Sequence, residues 1–149
     1  MPVETIKDGD IFASECDALV NPVNCVGYSG ALAGVFAKRY PEMAKFYEDA
    51  CDDGLMQLGL PLIWDSPDAE LPDIVLLATM QVPDSPGDLD AITDALEELP
   101  ELCAEWGIAS IAIPALGCGV GGLDFDTIVA ATEAAFADED VLVKLFEPL

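Results

Sequence analysis

Residues 110–136 read SIAIPALGCGVGGLDFDTIVAATEAAF, and three signals succeed one another in them. Ser110 to Ile113 is short, apolar and β-branched, the pattern of a strand, and Pro114 ends it because proline has no N–H to give to a sheet. Pro114 to Gly122 (PALGCGVGG) is a loop rich in glycine. Asp126 to Phe136 then reads as a helix, with Asp124 and Asp126 at its start, where a carboxylate meets the free amide groups of the first turn. A strand that runs through such a loop into a helix is the building unit of α/β folds.

Outward from this unit the alternation continues. Upstream, Leu89 to Trp106 carries an apolar stripe at helical spacing through Ile92, Leu96, Leu99, Cys103 and Trp106, with Pro100 expected to kink it. Pro83 to Asp88 holds two prolines and a glycine and is a loop. Ile74 to Ala78 and Leu60 to Trp64 read as strands. Leu32, Val35, Phe36, Met43, Phe46 and Tyr47 recur at three- and four-residue spacing, and Pro41 divides that stretch into two helices. Val3 to Lys7 and Ala18 to Val20 are short strands, the second running into Asn21, and Val141 to Phe146 closes the chain as another. The central strands are almost wholly apolar, as strands covered on both faces must be. The expectation is a three-layer α/β/α sandwich around a mixed central sheet. Residues 1–149 are expected to form a single domain without internal repeats.

Charge is the outlying property. The chain has 29 Asp plus Glu against 5 Lys plus Arg, a formal net charge of -24. In dilute buffer such a surface repels itself, whereas molar salt shortens the screening length to roughly 3 Å. The acid is spread along the chain and not gathered in a tail. That points to a halophilic, salt-rich cytoplasm; a basic partner is the other reading. A long nucleic acid needs a track of Lys and Arg, so no extended nucleic-acid groove is expected. No stretch resembles a signal peptide or a membrane span, so a cytoplasmic place with no membrane partner is expected. The five cysteines form no CxxC pair and the chain contains no histidine. Neither a disulfide scaffold nor a zinc site fits that pattern, and no metal or cofactor is expected.

In a sheet of this kind ligands sit beyond the carboxyl ends of the strands. Two segments there are rich in small residues: Asn21 to Gly34 (NPVNCVGYSGALAG) and Pro114 to Gly122. Glycines bring backbone close to a ligand, and successive amide groups ahead of a helix form an anion cradle. Two facing loops would suit a diphosphate held without cations; as plain tight turns they would bind nothing. Neither loop matches GxxxxGK[ST], and the first does not complete a dinucleotide fingerprint. Asp10 can accept from a base amino group or serve as a solvated turn residue. Asn21 and Asn24 flank Pro22 and can meet a ribose hydroxyl or cap the turn. Phe146 can stack on a base or belong to the core. Cys25 and Cys118 lack a histidine partner and read as small fillers.

The runs Gly9-Asp10-Ile11, Asp17 to Asn24 (DALVNPVN), Ser29 to Phe36 (SGALAGVF) and Ile111 to Gly119 (IAIPALGCG) resemble, in order and spacing, the macro domain family. The likeness is greatest to the branch of the DarG-type antitoxins and the human ADP-ribosyl-glutamate hydrolase. The resemblance implies a cleft for ADP-ribose. Asp10, with Ile11 beside it, would recognise the adenine amino group, and Phe146 would sit near the adenine. Asn24 would contact the distal ribose, with Asn21 in the same motif. Gly30, Ala31, Leu32, Ala33, Gly34 and Val35 would form the first phosphate loop. Leu116, Gly117, Cys118, Gly119, Val120 and Gly121 would form the second.

The sequence also departs from that branch. Where the antitoxins carry a catalytic lysine, this chain has Gln81, which is neither a base nor an amine nucleophile. Gly121 stands where the human hydrolase has an aspartate, as it does in the antitoxins. The first loop is one residue shorter, with Ala31-Leu32 in place of a lysine-glycine pair. Catalysis would then fall to Asn24 acting with the ligand's phosphate, or to Asp84 as a replacement base near Gln81. The functions in competition are a hydrolase that removes ADP-ribose from DNA or protein, with a toxin as a further partner, a binding module for ADP-ribose, and a structural domain without a ligand.

Overall fold

The computed structural model describes residues 3–148. Its six strands are β1 (Val3–Ile6), β2 (Ala18–Val23), β3 (Leu62–Trp64), β4 (Asp73–Ala78), β5 (Ser110–Ile113) and β6 (Leu142–Phe146). Its four α-helices are α1 (Ala31–Arg39), α2 (Pro41–Asp52), α3 (Leu89–Trp106) and α4 (Phe125–Ala135). The strands form one sheet in the order β1-β6-β5-β2-β4-β3. All neighbours are parallel except β3, which runs antiparallel to β4 at the edge. The sheet is therefore mixed, as expected.

Alternation along the strands divides the core in two. Leu19 and Val23 of β2 point with Leu76 of β4 toward Phe36, Met43 and Tyr47 of α1 and α2. Val20, Val75 and Leu77 point the other way, toward Ile92, Leu96 and Leu99 of α3 and Ile128 of α4. Two apolar layers on opposite faces of one sheet make the three-layer sandwich.

Pro41 opens α2 at its first position and so separates it from α1. Helix α3 continues through Pro100 as one element and ends at Gly107, which has a φ of 67°. Several element ends lie one or two residues from their expected places, and two differences matter more. Strand β2 extends past Val20 through Asn21, Pro22 and Val23, which pair with Leu76, Leu77 and Ala78. A proline is tolerated inside this central strand because β2 pairs with β5 only at Ala18 and Leu19. Val23 gives its carbonyl to Thr79 on the β4 side, so by alternation the nitrogen of Pro22 faces the side that β5 has left. The other difference is a 3-10 turn, Ile11–Ala13, which the sequence reading did not anticipate.

Candidate functional site

Strands β2 and β5 are neighbours, yet the helices that follow them go to opposite faces: α1 and α2 to one, α4 to the other. This is a topological switch point, where loops diverge and a crevice must open beyond the strand ends. A cavity of about 700 Å³ lies there. Residues 22–24, 28 and 30–33 line one side and 114–121, except Leu116, the other, with Gly9 to Ile11 and Phe146 to Pro148 closing one end.

The second loop is a wound backbone. Cys118 N–H donates to Ala115 O at 3.2 Å, Gly122 N–H to Gly119 O at 3.1 Å and Leu123 N–H to Gly117 O at 2.8 Å. Among the described residues the amides of Gly119, Val120 and Gly121 have no internal acceptor. The winding explains two glycines. Gly117 has a φ of 70°, and a Cβ on Gly121 would fall 2.6 Å from the Gly117 carbonyl oxygen. At Gly119 a Cβ would meet nothing within 4 Å.

The first loop enters α1, whose opening bond runs from Gly34 N–H to Gly30 O at 3.1 Å. The amides of Ala31, Leu32 and Ala33 precede that bond and are left for another acceptor. Among the described residues no Lys or Arg lines the cavity, and the charged groups that do are Asp10, Asp84 and Glu147. An anion between the loops would be held by neutral donors, the backbone amides first among them, and not by a cationic side chain.

At the closed end, a Cβ on Gly9 would lie 2.5 Å from Ile6 Cγ2 and 2.9 Å from the Phe146 ring, so the missing side chain leaves room for both. Phe146 is 8% exposed, part of the core and of the cavity wall at once. One carboxylate oxygen of Asp10 accepts from Phe12 N–H at 2.9 Å and caps the 3-10 turn. The other oxygen carries no bond among the described residues, so the turn role leaves an acceptor free on a residue that lines the cavity.

Asn24, 7% exposed, is held on three sides. Its Oδ1 accepts from Val26 N–H at 3.0 Å and from the Tyr47 hydroxyl at 2.8 Å, and its Nδ2 donates to Tyr28 O at 2.8 Å. Tyr47 comes from α2, behind the cavity wall, and burial pushes its hydroxyl far above the ordinary tyrosine range, with the Cys51 thiol beside it adding to the shift. Asn21 sits elsewhere. It is 1% exposed beneath α2, its Nδ2 lies 3.8 Å from the Met43 sulfur, and its Oδ1 has no partner.

Other candidates divide in the same way. Asp84 lines the cavity with a φ of 59°. Gln81 is exposed and outside the lining, and its carbonyl accepts from Cys25 N–H at 3.0 Å. Leu116 is buried in the second core layer, Gly34 is not in the lining, and Val35 is an exposed residue outside it. Cys118 lines the cavity, and burial raises the thiols of both Cys118 and Cys25, with Asp124 and Cys51 respectively adding to it. Protonated thiols suit packing better than attack. Tyr28 and Thr79 line the cavity without having been singled out in the sequence. Tyr28 had a signal, since it is an aromatic inside a glycine-rich loop; Tyr47 had none beyond its place in a helical stripe.

The family model for the macro domain matches residues 20–132. The DNA ADP-ribosyl glycohydrolase of Mycobacterium tuberculosis is 36% identical over 147 residues, which are 97% of this chain and 42% of that protein. The protein of the same name from Thermus aquaticus is 31% identical over 95% of this chain and 40% of its own length. The chain thus spans about two fifths of the length of these glycohydrolase relatives. Among solved structures, the macrodomain of Mycobacterium tuberculosis DarG superposes with a TM-score of 0.91 at 34% identity, covering 98% of this chain and 100% of that one. Thermosipho africanus DarTG in complex with ADP-ribose gives the same TM-score, 0.91, at 25% identity, covering 99% of this chain and 42% of that one.

Proposed function

The chain belongs to the macro domain family, and from that premise we propose that it binds ADP-ribose and hydrolyses it from thymidine-modified DNA, in the manner of an antitoxin. The observation that carries this reading is the cradle of free amides on two facing loops, without a cation in the lining, at the switch point between β2 and β5. A diphosphate held so keeps its binding in molar salt better than one held by exposed Lys and Arg, because amide contacts require no long-range attraction.

In this reading residues 1–149 act as a single domain. The free oxygen of Asp10 takes the adenine amino group and Phe146 lies against the ring. The amides of Ala31 to Ala33 and of Gly119 to Gly121 hold the diphosphate. Asn24 reaches the distal ribose. Hydrolysis then requires a water whose oxygen bonds to the anomeric carbon while the bond to the base breaks and the base leaves with a proton. Binding energy and placement supply most of the acceleration. Asp84 is the carboxylate in the lining suited to accept the water's proton, and Gln81 supplies no base. ADP-ribosylated protein is the other substrate of this chemistry. A toxin that attaches the modification, a cytoplasmic setting and a salt-adapted host complete the proposal; one relative, from Thermosipho africanus, bears the name of a transferase–glycohydrolase fusion.

A second reading, a binding module that does not cleave, is favoured by Gln81, which stands outside the lining and whose carboxamide is neither a base nor an amine nucleophile. One assay separates them: release of free ADP-ribose from single-stranded DNA bearing ADP-ribosyl thymidine, in molar KCl. Multiple turnovers are expected, and Asp84→Asn is expected to slow them about a hundredfold or more, from the low end of roughly 10²- to 10⁴-fold for general-base catalysis. No release from a folded protein that binds ADP-ribose would leave the binding module.

A further inference from the structure

The side chain of Asn24 is almost fully committed before any ligand arrives. A carboxamide has two acceptor sites on its oxygen and two N–H donors. Here both oxygen sites are filled, by Val26 N–H at 3.0 Å and the Tyr47 hydroxyl at 2.8 Å, and one donor is spent on Tyr28 O at 2.8 Å. Reversing the amide would set its N–H₂ against the Val26 N–H and its oxygen against the Tyr28 carbonyl, so one orientation alone satisfies the network. A single N–H remains, on a residue that lines the cavity.

Tyr47 is the longest-range part of this arrangement. It stands on α2, 23 residues from Asn24 in sequence, is 1% exposed, and its hydroxyl lies within bonding distance of both the Asn24 carbonyl, at 2.9 Å, and its Oδ1. The single proton of this hydroxyl is shared between the two oxygens, and through it a helix in the core holds both backbone and side chain of Asn24. It does not itself line the cavity.

We infer that Tyr47 is a positioning residue that makes Asn24 a donor-only contact and thereby sets the preference for ADP-ribose over ligands that end at the diphosphate. The inference rests on the ADP-ribose reading above. It has a consequence for the reaction: Asn24 cannot hold a water through its oxygen or take its proton, so the water must be oriented by Asp84 or by the ligand's phosphate.

The test is calorimetric titration with ADP-ribose and with ADP, in molar KCl, of the wild type, Tyr47→Phe, Asn24→Ala and the double variant, each with its melting curve. Tyr47→Phe is expected to stay folded, to lose about tenfold in ADP-ribose affinity and to keep its affinity for ADP. Asn24→Ala is expected to lose at least as much for the same ligand, and the double variant no more than Asn24→Ala alone. Equal losses for both ligands, an unchanged ADP-ribose affinity, additive losses, or a Tyr47→Phe protein that no longer folds would each overturn the inference. A wild type that binds ADP and ADP-ribose equally overturns it too. A wild type that binds neither ligand overturns the underlying reading as well, and so is distinguishable from the other failures.

Discussion

Ala31 opens α1 with a φ of 45°, a left-handed conformation in which a Cβ presses on the backbone. The neighbouring Gly30 would bear the conformation freely but is needed for space, since a Cβ there would come 2.9 Å from the Tyr28 ring. Asp84, at 59°, is in the same region, where Asp is tolerated better than Ala because its side chain bonds locally. Ala31→Gly is therefore expected to stabilise the protein by about 1 kcal/mol, raising the melting temperature by roughly 2–4 °C. The amide that points to the cradle is unchanged, so ADP-ribose affinity should stay within about twofold. A lower melting temperature in scanning calorimetry would mean that the unfolded chain's gain in freedom outweighs the relieved strain. Residues of this kind are invisible in the sequence: nothing in SGALAG marks which of its small residues has the positive φ. Tyr47 was hidden for a related reason. A side chain that packs at helical spacing and also bonds a distant asparagine carries the same periodic signal as one that only packs.

The loop between β5 and α4 was legible because its glycines cluster between a strand and a helix, and those glycines are not equivalent. Gly119 faces open space and Gly121 faces the Gly117 carbonyl. Gly119→Glu is expected to abolish ADP-ribose binding, by placing a carboxylate among the free amides proposed to hold the diphosphate, while the melting curve is unchanged. Gly121→Ala should destabilise the fold by about 1–3 kcal/mol, because the backbone must move to admit a methyl group. The pair is read by titration and thermal melt together, and a Gly119→Glu protein that still binds would refute the assigned position of the phosphates. Elsewhere in the elements, legibility followed apolar continuity. Asp73–Ala78, Ser110–Ile113 and Leu89–Trp106 could be read because burial on a face imposes a period. The far half of β2 could not: Asn21 and Pro22 break the apolar run, and what permits them is the departure of β5, a tertiary fact. By hydrophobicity Leu60 reads as the start of β3, but it forms only an isolated bridge with Gln57 and is 52% exposed.

Across the whole molecule, charge sets the conditions under which any of this operates. Among the described residues one ion pair is formed, Lys45–Asp49 at 3.4 Å, and both partners are exposed; against a net charge of -24 it offsets little. At the end of the sheet opposite the cavity, Asp73 shows the local cost. Burial raises its carboxyl above the ordinary aspartate value, with Asp65 and Asp17 adding to the shift and the Ser66 N–H opposing it. Because the folded state holds this proton more tightly than the unfolded state does, stability falls as pH rises from the unfolded to the folded value. Above that window the ionised group is a net penalty. Asp73→Asn keeps an oxygen for the Ser66 N–H, a bond of 2.9 Å, and is expected to raise the melting temperature at neutral pH but not well below the aspartate range. Salt separates the two causes. Raising KCl from about 0.1 M to about 1 M shortens the screening length from roughly 10 Å to roughly 3 Å, which removes repulsion between carboxylates but not the cost of burying one. The wild type should therefore melt at a higher temperature in molar KCl, with the benefit of Asp73→Asn reduced there yet still present. If the wild type melts at the same temperature across that range, self-repulsion is not what governs its stability. The acidic surface would then have to be explained by a basic partner and not by a salt-rich setting.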